Sequence, residues 1–153
     1  MPAKPISLKA RAIAALARRE HSRTELARKL AAHAESEAAL TELLNELEAK
    51  ALLSNKRFVE SRVRQRESKY GTVRILAELQ HRGVPAELVR QEAQRLKSSE
   101  FDRALYAWQR RFGQPPQTDK EKAQQLRFML ARGFTAEIYF RIASQSFSLD
   151  HSQ

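Results

Sequence analysis

Cysteine is absent from this 153-residue chain, which excludes a disulfide framework and thiolate metal ligation. No apolar run approaches the length of a membrane span. The opening Met1-Pro2-Ala3-Lys4-Pro5-Ile6-Ser7 lacks the apolar stretch of a signal peptide, so a cytoplasmic protein with no membrane partner is expected. Glycine and proline are scarce, at four and five residues. No segment alternates apolar and polar residues with β-branched enrichment, so no sheet is expected. The glycines stand alone, and no Gly-rich phosphate loop, HExxH or CxxC pattern occurs. Four histidines, His21, His33, His81 and His151, share no metal-ligand spacing. No catalytic residue, metal or cofactor is expected, and an enzyme is not.

What the chain does have is a repeat. Arg82-Gly83-Val84-Pro85-Ala86-Glu87-Leu88 returns fifty positions later as Arg132-Gly133-Phe134-Thr135-Ala136-Glu137-Ile138. The same offset carries Leu76 to Leu126, Leu79 to Met129 and Ala93 to Ala143. An offset of forty-nine in the other direction carries Ile75 to Leu26, Leu79 to Leu30, Val89 to Leu40 and Leu96 to Leu47. Self-similarity at this spacing predicts a tandem array, read as repeats over 1–52, 53–98 and 99–153. Such an array offers one long surface rather than a deep pocket, and leans toward binding.

Ala, Leu, Arg, Glu, Gln and Lys dominate, the strong helix formers. Apolar spacing and capping residues predict nine helices in three trios, an all-α fold. Ser22 with Glu25 and Thr118 with Glu121 are capping-box patterns, and Ser36 can cap the third helix. Gly83 and Gly133 are left-handed C-caps. One helix is predicted to run from Pro85 through Leu96 and a separate one over 100–112. The last is expected to end near Ser146, with a frayed tail after Phe147.

Lys plus Arg total 28 against 18 Asp plus Glu, a net charge of +10, which implies a polyanionic partner. Residues 8 to 34 hold Arg18, Arg19, Arg23, Arg28 and Lys29 among the cations, against Glu20 and Glu25. Residues 56 to 74 hold Arg57, Arg62, Arg64, Arg66, Lys69 and Arg74 against Glu60 and Glu67. Arg62, Arg66 and Lys69 follow i, i+4, i+7 spacing, which would place them on one helical face. With Tyr70 and Arg82 these are the candidate partner- or DNA-binding residues, and the middle repeat is the expected main contact. Phe101, Leu105, Trp108 and Phe112 could be a base-stacking platform, but their spacing reads better as a buried helix face. Helix-turn-helix units of a DNA-binding or transcription regulator are an alternative. The acidic third helix, with Glu42, Glu46 and Glu48, would repel phosphate and does not fit repeated base readout.

Three strings carry a family resemblance. The first is Arg18-Arg19-Glu20-His21-Ser22-Arg23-Thr24-Glu25-Leu26-Ala27-Arg28-Lys29-Leu30. The second is Leu53-Ser54-Asn55-Lys56-Arg57-Phe58-Val59-Glu60-Ser61, followed by Tyr70-Gly71 and Arg82-Gly83-Val84; the third is Leu130-Ala131-Arg132-Gly133-Phe134. Together they resemble the RecX family of bacterial regulatory proteins over essentially the whole chain. The family commonly has an acid before the Arg-Phe pair, where this chain has Ser54-Asn55-Lys56, and Gly-Pro where it has Gly71-Thr72. The resemblance implies three-helix modules in a curved, elongated array. It also implies a protein, expected to be monomeric, that binds the RecA recombinase filament on single-stranded DNA. It would limit filament extension and inhibit ATP hydrolysis, strand exchange and co-protease activity, in recombination, DNA repair and the SOS response.

Overall fold

In the computed structural model, residues 4–150 are described, and His151 lies outside them. Among the described residues there are α-helices and one 3-10 turn, and no strand. The order is α1 (Leu8–Arg18), α2 (Arg23–Leu30), a 3-10 turn (Ala31–His33), α3 (Glu37–Ala49), α4 (Asn55–Arg66), α5 (Thr72–His81), α6 (Ala86–Arg111), α7 (Asp119–Ala131) and α8 (Ala136–Asp150). No helix among the described residues is long and apolar enough to cross a membrane.

Local chemistry sets most boundaries. Ser7, Ser22, Ser36 and Thr118 have extended backbones, and each side-chain oxygen accepts the amide three residues on. The Thr118 box is completed from outside the helix, because Glu121 accepts from the Gln117 amide at 2.7 Å. Two helices expected within 85–112 are instead one, α6, of 26 residues. Nothing between Leu96 and Glu100 breaks a helix. Ser98 and Ser99, which could have capped a new one, turn their hydroxyls back to the Arg95 and Leu96 carbonyls and stay within the turn. At the other end α8 continues to Asp150, past the expected stop at Ser146.

The chain divides into two compact units, Met1–Arg62 with Leu79–Leu88, and Val63–Glu78 with Val89–Gln153. The first is built on Ala12 and Ala15 of α1, Leu26 and Leu30 of α2, Leu43, Leu44 and Leu47 of α3, and Leu53. Each fully buried leucine contributes about 1.5–3 kcal/mol. The second unit is built on Ala104, Trp108, Met129, Phe134, Tyr139 and Ile142, with Phe101, Leu105 and Phe112 packed against them. The aromatic stripe of α6 is therefore core. The Trp108 indole and the Tyr139 hydroxyl both donate to Gln125 Oε1 at 3.0 Å, so the two rings bury their polar ends with a partner.

Within each unit a helix N-terminus meets a helix C-terminus. In the first, Ser22 Oγ donates to the Arg82 carbonyl (2.5 Å), Thr24 Oγ1 to Gly83 (3.2 Å) and Arg28 to His81 (2.9 Å). The start of α2, with Arg28 from its last turn, thus satisfies carbonyls at and just past the end of α5. In the second, the Gly71 amide donates to the Arg132 carbonyl at 2.7 Å and Arg74 to Ala131 at 2.9 Å. The start of α5 does the same for α7. Gly83 and Gly133 are the C′ residues of both ends, at φ 76° and 93°. Each end closes with the same pair of bonds, Val84 to Leu79 and Gly83 to Gln80, then Phe134 to Met129 and Gly133 to Leu130.

Glu25 locks the first of these contacts. Its carboxylate takes Arg19 at 2.8 and 3.0 Å and Arg82 at 2.6 Å, instead of closing the capping box on Ser22. Burial pushes this carboxyl up, but the Arg19 hydrogen bond and the neighbouring positive charges outweigh it and hold it below its ordinary 4.5. A lowered carboxyl contributes stability that is present above its unfolded value and lost as pH falls through the folded one. Denaturant midpoints should therefore fall as pH drops below 4.5, and Glu25→Gln should show less of that fall while losing about 1–2 kcal/mol at neutral pH.

Ala51 ends α3 in the same left-handed conformation, φ 60°, with Leu52 bonded to Leu47 and Ala51 to Glu48. An alanine there is strained. Ala51→Gly should raise stability by about 0.5–1 kcal/mol in urea melts. Gly133→Ala should lower it by more than about 1 kcal/mol, since its Cβ would also lie 2.5 Å from that of Arg74.

Candidate nucleic-acid and partner interface

Most cations of the first unit have partners within it. Arg19 and Arg82 hold Glu25, Arg23 holds Glu48 at 2.8 Å, and Arg57 holds Glu20 at 3.0 Å. Arg28 caps α5, and the Arg62 guanidinium lies 5.4 Å from the Phe58 ring centre. The acidic α3 is tied to the basic segment before it: Glu46 also bridges Lys50 and Lys9, whose hydrogen bonds pull its carboxyl down to about 2. Arg18 and Lys29 are exposed, and line a cavity of about 260 Å³ with Ile6, Arg11 and His33.

The expected basic face of α4 does not form as a single face. The helix stops at Arg66, and Lys69 lies in the following turn, where its amide donates to the Arg66 carbonyl. The Arg66 guanidinium sits 3.2 Å from Glu78, so that cation has a structural partner. Arg64 and Lys69 are exposed.

That turn is held from α6. Arg103 donates to the carbonyls of Glu67 (3.1 Å), Tyr70 (2.7 Å) and Leu96 (3.0 Å), to Thr72 Oγ1 (3.1 Å) and to Ser99 Oγ (3.0 Å). Glu100 accepts the Thr72 amide at 3.2 Å. Thr72 thus supplies a donor and an acceptor, and α6 uses both. Sequence reasoning missed Arg103, because its partners are backbone carbonyls about thirty residues away.

The clamp presents Tyr70 among guanidiniums, with Arg74 at 4.0 Å, Arg132 at 5.4 Å and Arg66 at 5.9 Å from the ring centre. Beside it opens a cavity of about 540 Å³. Its walls are Ser68, Lys69 and Tyr70 from the turn, Tyr106, Ala107, Arg110 and Arg111 from α6, and Phe128 and Arg132 from α7 and its end. Of these only Lys69 and Tyr70 were legible as candidates in the sequence. Tyr106 and Arg110, four apart on α6 and 2.9 Å from each other, were the available signal. The lining carries four cations and three aromatic rings and no carboxylate, so it suits an anion bearing a flat face. Among the described residues no group of three His, Asp or Glu side chains is placed to hold a metal.

Comparison with known proteins follows the same lines. A family model described as RecX, second three-helix domain, matches residues 54–91. One described as RecX, third three-helix domain, matches 98–142. The continuous α6 runs from the one match into the other. Regulatory protein RecX of Ralstonia nicotianae is 49% identical over 142 residues, covering 93% of this chain and 89% of that protein. Regulatory protein RecX of Leptothrix cholodnii is 45% identical over 133 residues, covering 87% and 85%. The crystal structure of RecX from Lactobacillus salivarius shares the fold, with TM-score 0.74 at 19% identity over 90% of this chain and 93% of that one.

If Arg103 holds the turn as these distances describe, Arg103→Ala should destabilise the protein by about 2–3 kcal/mol. Arg103→Lys should not restore it, because an ammonium cannot reach five acceptors in a planar fork. Chemical denaturation of the three proteins side by side checks this, and a lysine variant as stable as the parent would remove the clamp from the account.

Proposed function

Because this chain belongs to the RecX family of regulatory proteins, we propose that it binds the RecA recombinase filament on single-stranded DNA and restrains it. In this reading it limits filament extension, and with it ATP hydrolysis, strand exchange and co-protease activity. It acts as a cytoplasmic monomer. The observation that carries the reading is likeness to curated regulatory proteins over 93% of the chain. The charge of +10 supports it, since a nucleoprotein filament is a polyanion. Modules over 1–52, 53–98 and 99–153 would engage repeating protomers, each raising the effective concentration of the next.

Arg18, Lys29, Arg64 and Lys69 are exposed. Arg19, Arg23, Arg57, Arg66 and Arg82 hold carboxylates, and Arg28 and Arg74 hold helix ends. We assign the first group to the partner and the others chiefly to the fold. The alternative, an autonomous DNA-binding regulator, predicts equal affinity for naked DNA and for the filament at matched salt.

Substoichiometric protein should slow ATP hydrolysis by a RecA-type recombinase on single-stranded DNA. Arg64→Glu with Lys69→Glu should weaken filament binding and flatten its salt dependence with little change in thermal stability. Phe58, 1% exposed, provides the contrast: Phe58→Ala should cost about 3–5 kcal/mol of folding energy. An unchanged ATPase rate at saturating folded protein would sink the reading.

A further inference from the structure

A cavity of about 540 Å³ opens between the 67–70 turn, α6 and α7. Its charged walls are Lys69, Arg110, Arg111 and Arg132, and no carboxylate stands among them. Four like charges around one space repel each other, and an anion placed there would relieve that repulsion. Three of the walls are aromatic. Tyr106 is half exposed, at 48%, so its ring face is open to a ligand. Arg110 lies 5.6 Å from its ring centre, and Arg111 and Arg132 lie 5.7 and 5.0 Å from that of Phe128. Cations are thus held beside flat rings.

We propose that this cavity binds a nucleotide of single-stranded nucleic acid, its base stacked on Tyr106 and its phosphates held by Arg110, Arg111 and Lys69. The donor inventory favours this over a peptide. Ammonium and guanidinium groups only donate, and apart from the Ser68 and tyrosine hydroxyls the polar side chains of the wall are of that kind. A peptide would bring one backbone N–H per residue with few acceptors to meet it. A phosphodiester brings acceptors alone. A volume of about 540 Å³ falls within the range of small-ligand clefts. A base can enter only from a single strand, since in a duplex both its faces are stacked.

The inference deepens the proposed function by naming which component of the filament this domain touches, but it needs no recombinase to be tested. Fluorescence anisotropy with the full chain and a labelled twelve-residue oligothymidylate, against the same strand with its bases removed, is the direct experiment. Tyr106→Ala should weaken binding of the intact strand by about tenfold at an unchanged salt slope, and Tyr106→Phe should retain it. Arg110→Ala and Arg111→Ala should each flatten the slope of log affinity against log salt by about 0.7. Lys97→Ala, an equal charge loss elsewhere on α6, should leave stacking untouched. The abasic strand should bind more weakly than the intact one, and no worse to Tyr106→Ala than to the parent. Equal affinity for abasic and intact strands, or a Tyr106→Ala variant that binds as the parent does, overturns the proposal. If that variant binds DNA normally but no longer slows the recombinase ATPase, the cavity takes protein, this proposal falls and the proposed function stands. If the parent leaves the ATPase unaltered yet the oligonucleotide results hold, the reverse is true.

Discussion

A helix that ends must find partners for its last carbonyls, and in this protein another helix's beginning provides them. The start of α2 supplies Ser22 and Thr24 to the end of α5, and its last turn adds Arg28. The start of α5 supplies the Gly71 amide and Arg74 to the end of α7. Donors at a helix N-terminus and acceptors at a C-terminus are complementary in hydrogen bonding and in dipole sign, so the contact is favourable in both respects. It also requires very close approach. Thr24 and Arg74, fifty residues apart, stand against Gly83 and Gly133, also fifty apart, and neither glycine has space for a side chain. The fifty-residue repeat is therefore a repeat of one contact as much as of one helix pattern.

Electrostatics here serves two ends, and the geometry separates them. Arginine is the residue used inward, where a planar fork reaches a carboxylate or several carbonyls at once. Arg19 and Arg82 on Glu25, Arg66 on Glu78 and Arg103 on five acceptors are of this kind. The net charge of +10 overstates what is left to attract a partner, because many of its cations are committed to the fold. Part of what remains lies around the 67–70 turn and the adjoining face of α6, where Lys69, Arg110, Arg111 and Arg132 meet without an acid.

That turn shows how a buried helix start finds its partners. Thr72 places an amide and a hydroxyl at a helix start where it is only 3% exposed, and an unmatched buried amide is costly. Glu100 takes the amide and Arg103 meets the hydroxyl. Both lie on α6, at and just after the point where a new helix was expected to start. A break at Ser98-Ser99 would have parted Arg103 from the Leu96 carbonyl and the Ser99 hydroxyl that it also holds, so the continuity of α6 and the hold on the turn at residue 72 belong to one arrangement.

The sequence by itself determined the all-α class, the capped starts at Ser22, Ser36 and Thr118 and the left-handed ends at Gly83 and Gly133. Each depends on residues within one or two turns, so their chemistry is local. The burial of Trp108 with its stripe followed from spacing alone. Only the tertiary structure decided which cations are free. Whether Arg66 faces solvent or Glu78, or Arg82 a partner or Glu25, depends on groups 12 and 57 residues away, and no local pattern encodes that distance. It also decided the cavity, whose walls come from a turn and two helices that are far apart in the chain, and it joined two expected helices into α6, because serines that can start a helix can equally bond back inside one.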